Sequence, residues 1–287
     1  MKKGLNLWTA IGFSYSGSPP IDEVLEKAKE YGYEGVEIVY DDNLLDPQRL
    51  DREWRRGIVE KAESLGLEIP SVATGVFWKY NMGLPEGHPE REQGIKYAEL
   101  GLELAHDLGA GVLLVVPAVA VPGVPYRELL RNAASALRGI ARKADDLGVT
   151  VGVENVWNKL LYSPLEYRDF ILCDTPDNVK AYFDVGNVVA LGLHDHWIPL
   201  LKGLIAMVHV KDFDENVGGL RGFRHVGRGS IDWPHVLELL RGAGYDGFLN
   251  VECPPEFYPD LEQPRYPEDG YRAARDNAEA LKRILGA

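Results

Sequence analysis

Short runs of aliphatic and β-branched residues alternate with longer stretches of helical periodicity from one end of the chain to the other. The short runs predict eight strands, over Gly4–Trp8, Gly35–Val39, Glu68–Val72, Gly111–Val116, Thr150–Glu154, Val179–Asp184, Ile205–His209 and Gly247–Glu252. The longer stretches predict amphipathic helices, among them Ile21–Tyr31, Arg52–Leu65, Arg91–Leu108, Tyr126–Leu147 and Trp233–Ala243. Four of these run into a glycine (Gly32, Gly66, Gly109 and Gly148), the residue that takes the left-handed conformation just past a helix end. An apolar run follows each within a few residues. Eight strand–helix units in 287 residues leave about 36 residues per unit, enough for parallel strands joined by crossover helices.

An open doubly wound sheet and a closed barrel both fit that alternation, and two features favour closure. No Gly-x-Gly-x-x-Gly follows the first predicted strand, where a dinucleotide-binding sheet needs it. Polar residues stand at the C-terminal ends of many strands rather than at one crevice: Glu37, Glu154, Asp184, His209 and Glu252. A barrel gathers all eight strand ends around one mouth. With no linker or compositional break, the expectation is an α/β fold, a (β/α)8 TIM barrel forming a single domain over residues 1–287. The proline-rich segment Pro254–Tyr271 is expected to be a long loop on the same face as the strand ends.

Composition removes several function classes. With 45% hydrophobic and 26% charged residues the chain is of globular type, neither disordered nor low in complexity. A formal charge of −13 argues against duplex DNA held by phosphate neutralisation. The two cysteines, Cys173 and Cys253, make neither a disulfide framework nor a zinc knuckle, which suits a reducing, cytoplasmic setting. Met1-Lys2-Lys3 resembles the start of a signal peptide, but Gly12, Ser14, Ser16 and Pro19 interrupt any apolar region behind it. The most hydrophobic stretch, Ala110 to Val124, is too short for a spanning helix and carries Pro117 and Pro122, so no membrane partner is expected.

The last four strands end in Val153-Glu154-Asn155, Phe183-Asp184-Val185, Val208-His209-Val210 and Val251-Glu252-Cys253. Strand alternation sets Glu154, His209 and Glu252 opposite their neighbouring valines. With the valines packed on the outer helices, the polar groups point into the barrel. Any one strand-end carboxylate commonly caps a helix or pairs with a base. Three carboxylates and an imidazole on successive strands are different, because like charges so close resist joint ionisation unless a cation joins them. Oxygen and nitrogen donors without a thiolate suit one divalent ion, Mn²⁺ first, with Mg²⁺, Co²⁺ or Zn²⁺ as alternatives.

These runs, together with Gly32-Tyr33-Glu34-Gly35-Val36-Glu37, Val210-Lys211-Asp212, Gly227-Arg228-Gly229-Ser230-Ile231-Asp232-Trp233 and Gly244-Tyr245-Asp246-Gly247, resemble the xylose isomerase-like TIM-barrel superfamily over nearly the whole chain. Within it the likeness is to the sugar-phosphate isomerase/epimerase branch, which includes ketose 3-epimerases and L-ribulose-5-phosphate 3-epimerases. The resemblance implies that Glu154, Asp184, His209 and Glu252 ligate the metal and that Glu154 and Glu252 also transfer protons. It further implies a sugar or sugar phosphate as substrate, and a homodimer or homotetramer. Free-sugar epimerases commonly carry His three residues after the metal Asp; Asn187 stands there, nearer the phosphosugar pattern. The family's frequent Gly-Glu-Gly turn is Gly227-Arg228-Gly229 here, so phosphorylation of the substrate stays open at this point.

The implied reaction is epimerisation of a ketose or ketose phosphate at C3 through an enediolate, catalysed by the two glutamates. Aldose–ketose isomerisation and dehydration of a keto-inositol use the same kind of site. An abasic-site nuclease of this superfamily needs a three-zinc cluster with extra histidines; Asn187 replaces one of them, and strands three and four end in Ala73-Thr74 and Pro117-Ala118. A non-catalytic sugar-binding relative is disfavoured by the presence of both glutamates. Candidate substrate contacts are Trp8, Glu37, Trp157, Asn187, Lys211 and Arg228, with Glu37 alternatively supporting a ligand from behind. Tyr40, Phe77 and Trp78 lie near other strand ends. Asp212 either orients a ligand or caps the following turn. Of the remaining histidines, most are expected in solvent, with His225 near the mouth.

Overall fold

The first strand pairs with both the second and the last, so the sheet has no open edge. The computed structural model describes residues 1–13 and 20–286; Ser14, Ser16 and Pro19, named above against a leader, lie outside them. In chain order the strands are β1 (Lys2–Asn6), β2 (Gly35–Tyr40), β3 (Ser71–Thr74), β4 (Val112–Val115), β5 (Thr150–Glu154), β6 (Val179–Asp184), β7 (Ile205–Val210), β8 (Asp212–Phe213), β9 (Phe223–Arg224) and β10 (Phe248–Val251). Eight of them close, all parallel, in the order β1-β10-β7-β6-β5-β4-β3-β2, while β8 and β9 form a separate antiparallel ribbon. The expected (β/α)8 barrel is therefore the fold.

Around the barrel lie α1 (Leu7–Ile11), α2 (Ile21–Tyr31), α3 (Arg52–Ser64), α4 (Pro89–Asp107), α5 (Tyr126–Leu147), α6 (Pro164–Asp169), α7 (Val185–Val189), α8 (His194–Trp197), α9 (Trp233–Gly242) and α10 (Glu268–Leu285). The amphipathic reading explains their packing: in α5, Leu129, Ala133, Leu137, Ile140 and Ala144 are buried on one stripe. Gly32 and Gly148 close α2 and α5 in the left-handed conformation, as their positions imply.

Three expectations need correction. The first strand stops at Asn6 instead of Trp8, because the Asn6 side chain accepts the Trp8 N–H (2.8 Å) and starts α1. The third begins at Ser71, since Pro70 has no N–H for the ladder and Glu68 makes only an isolated bridge to Gly35. The loop expected to reach Tyr271 ends at Pro267, where Glu268 and Asp269 open α10. That helix crosses α1 closely: a Cβ on Gly270 would lie 1.7 Å from the Ala10 carbonyl oxygen, so only glycine fits there. Among the described residues no helix is long and apolar enough to cross a membrane.

Candidate metal centre

Glu154 ends β5, Asp184 ends β6, His209 lies in β7 and Glu252 follows β10, so four strand ends deliver four side chains to one point. One donor atom from each falls within 4.8 Å of the others, and all four residues are buried. His209 Nδ1 has no hydrogen-bond partner although it is buried. It faces oxygens of Glu154 and Glu252 at 3.8 Å and of Asp184 at 3.9 Å. A lone nitrogen ringed by three carboxylates just beyond hydrogen-bond reach fits a divalent cation, as does the donor set.

The residues beneath explain that orientation. Glu37 is fully buried, and its Oε2 lies 2.6 Å from His209 Nε2, so a proton on Nε2 leaves Nδ1 turned towards the carboxylates. Glu37 also accepts hydrogen bonds from Asn6 Nδ2 (2.5 Å), Ser71 Oγ (2.7 Å) and the Tyr182 hydroxyl. Asn250 Nδ2 donates to Ser71 Oγ and to the Tyr182 oxygen, completing a polar layer across the barrel interior. Burial pushes the Glu37 carboxyl up, but His209 and these donors outweigh it and hold the group below its usual range. Glu37, counted above among substrate contacts, thus sits behind His209 and supports it.

Asp184 is fixed from another side. Its Oδ1 caps α7 by accepting the Asn187 N–H at 2.7 Å, while Oδ2 meets the Lys211 ammonium at 2.5 Å. Lys211 also contacts Glu252, and Gly186 leaves it room: a Cβ there would lie 2.5 Å from Lys211 Cγ. Burial opposes the Lys211 charge, yet Asp184 and Glu252 raise its pKa above the ordinary value. Burial also pushes the Glu154 carboxyl up to about 7, with the charges of Glu252 and Asp184 adding to the rise. Asn155 ties the end of β5 to β6: its Nδ2 donates to the Asp184 carbonyl (2.9 Å) and its Oδ1 accepts the Asp184 N–H (2.7 Å).

A cavity of about 950 Å³ opens from Glu154, Lys211 and Glu252 towards solvent. Trp8, Trp157 and Asn187 line it, as do Tyr40 and Trp78, whereas Phe77 is fully buried outside the lining. Arg228 is exposed on a turn and is not among the lining residues. The Asp212 carboxylate accepts from the backbone N–H groups of Phe213, Gly227 and Ile231 and from Trp233 Nε1. These bonds draw the Gly227–Ile231 turn and the Trp233 indole onto one side chain.

The family model described as "Xylose isomerase-like TIM barrel" matches residues 25–284. The chain belongs to this family. A fructoselysine 3-epimerase of Escherichia coli O157:H7 is 21% identical over 252 residues, which span 81% of this chain and 85% of that protein. The crystal structure of D-psicose 3-epimerase with D-tagatose from Clostridium cellulolyticum H10 superposes with a TM-score of 0.79 at 18% identity, covering 99% of each chain. An IOLI protein structure with a zinc atom gives a TM-score of 0.78 at 19% identity, over 100% of this chain and 98% of that one.

Within this xylose isomerase-like barrel, sequence reasoning missed the layer of Asn6, Ser71, Tyr182 and Asn250 under the centre. The available signal was polar residues at inward-facing positions of strands otherwise read as apolar. His225, set apart from the other histidines as lying near the mouth, is buried against Tyr258 (ring centroids 3.9 Å apart), with Nδ1 accepting from Asn277 Nδ2 at 2.7 Å. Burial lowers its pKa from 6.5 to about 4. The folded state then binds fewer protons than the unfolded chain between those values, so stability falls as pH drops through that window. Urea unfolding at pH 7 and pH 4 should show an acid-side loss about 3 kcal/mol smaller in His225→Gln than in the parent. Equal losses would mean that His225 is not held neutral by the fold.

Proposed function

We propose that this chain, acting as one domain, is a metal-dependent isomerase that epimerises a ketose at C3, with Glu154 and Glu252 as the proton-transfer pair. The observation that carries the reading is the convergence of those two carboxylates with Asp184 and the unpartnered His209 Nδ1 at the floor of the cavity. The names of the relatives, sugar 3-epimerases among them, support it. Glu154, Asp184, His209 and Glu252 would hold the ion, with Mn²⁺ favoured by three oxygen donors and one nitrogen; the zinc of the IOLI structure keeps Zn²⁺ in the test. When bound, a divalent cation supplies Lewis acidity at the substrate's carbonyl and neighbouring hydroxyl.

The chain's own groups do the remainder. One glutamate removes the C3 proton, charge moves onto the sugar's oxygens as an enediolate, and the other glutamate returns a proton from the opposite face. Burial suits Glu154 to this exchange, because a carboxyl near pKa 7 both gives and takes a proton at neutral pH. Glu37 keeps His209 oriented, Asn187 and Asn155 keep Asp184 in place, and Lys211 supplies a fixed positive charge beside the developing negative one. Trp8 and Trp157 offer flat surfaces to the sugar's C–H faces. Incubation with Mn²⁺ and D-fructose in D2O should place deuterium at C3 and yield D-allulose, and EDTA should stop both. Deuterium at C1 with formation of an aldose would identify an aldose–ketose isomerase instead.

A further inference from the structure

The cavity is much larger than a free ketohexose requires. Its volume of about 950 Å³ lies near the top of the range that encloses drug-sized ligands. Beyond the metal centre its walls are aromatic: Trp8, Phe13, Trp78, Trp157, Phe223 and Phe257. Trp157, Phe223 and Phe257 form a continuous stack, with centroids 4.9 and 5.2 Å apart and planes inclined by 27° and 22°. Trp78 is 49% exposed and Phe13 52%, a cost in water that a ligand covering them would remove.

The charge on the walls has the opposite sign to what a phosphate needs. Apart from Glu154 and Glu252, whose charge a bound cation would offset, Asp41, Asp42 and Glu256 line the cavity against Lys79, with Lys211 beside the metal-site carboxylates. Both lysines are already engaged, Lys79 by Asp42 and Lys211 by Asp184 and Glu252. Arg228 lies outside the lining. A phosphate dianion would enter a field of excess negative charge with no unpaired cation among the described lining residues to meet it.

We propose that the substrate is a ketose bearing a bulky, uncharged apolar group at its C6 end, seated on the aromatic wall, and that a C6 phosphate is disfavoured. This rests on the epimerase reading for the direction in which the sugar lies. Two probes blocked at the same oxygen, 6-O-benzyl-D-fructose and D-fructose 6-phosphate, differ only in the chemistry at issue. Binding to the Mn²⁺-loaded protein is followed by tryptophan fluorescence, with D-fructose as reference. The benzyl ether is expected to bind about tenfold tighter than D-fructose, the scale of covering one ring with aromatic side chains, and the phosphate no tighter. Trp78→Ala should cut the benzyl advantage by at least about threefold. A phosphate that binds more tightly than D-fructose, or a benzyl ether that does not, overturns the proposal. Deuterium exchange is measured in parallel: if none of the three sugars exchanges while the binding preference holds, the epimerase reading falls and the ligand class stands.

Discussion

Glu154→Gln and Glu252→Gln are each expected to lower the rate of C3 epimerisation by about a thousandfold, within the range that a positioned acid–base group contributes. Glutamine keeps the size of the side chain and one carbonyl oxygen for the cation, but it neither accepts nor returns the carbon-bound proton. The two variants should also differ from each other. In each, the intact glutamate still faces the C3–H of one epimer, so exchange without inversion should survive for D-fructose in one variant and for D-allulose in the other. Near-ultraviolet circular dichroism and Mn²⁺ content report whether fold and metal are retained. Epimerisation within tenfold of the parent in either variant would remove that glutamate from proton transfer. Exchange lost from both epimers in one variant and from neither in the other would replace two bases by one.

Glu37→Gln is expected to weaken Mn²⁺ binding by about ten- to a hundredfold, although residue 37 would touch no ion. The carboxylate holds the His209 ring through Nε2 and is itself held by Asn6, Ser71 and Tyr182. A neutral amide keeps the volume but loses the charge that makes Nδ1 a stronger donor, and its NH2 has to find acceptors in a layer built to donate. Titration with free Mn²⁺ followed by electron paramagnetic resonance reads the affinity directly. The unfolding midpoint of the metal-free protein separates a loosened barrel from a weakened ligand. Unchanged affinity would show that the His209–Glu37 contact is structural only.

The four residues of the centre were legible because each ends a strand, and parallel strands in a barrel bring their ends together whatever the intervening helices do. Glu37 was legible as important but not in its role. The same strand-end rule brought it to the list, and only the register of β2 beside β1 shows it one level below the cavity, under His209. Arg228 and Asp212 stood in two separate motif-like runs, yet a turn's local geometry turns one outwards and ties the other to backbone amides. The wall of Phe13, Phe223 and Phe257 comes from three segments far apart in sequence, and no periodicity links them.

The alternation of apolar runs and amphipathic stretches, with glycine stops between them, determined eight strand–helix units and the identity of the residues at their ends, because backbone and burial preferences act over a few residues at a time, and the polar residues at so many strand ends favoured their closure into a barrel. The depth of each side chain, the layer that orients His209, the pairing of Lys211 and the charge and size of the cavity were decided only in three dimensions. Those properties are sums over contacts between distant segments, and a carboxylate that holds a ligand reads in sequence no differently from one that holds a neighbour.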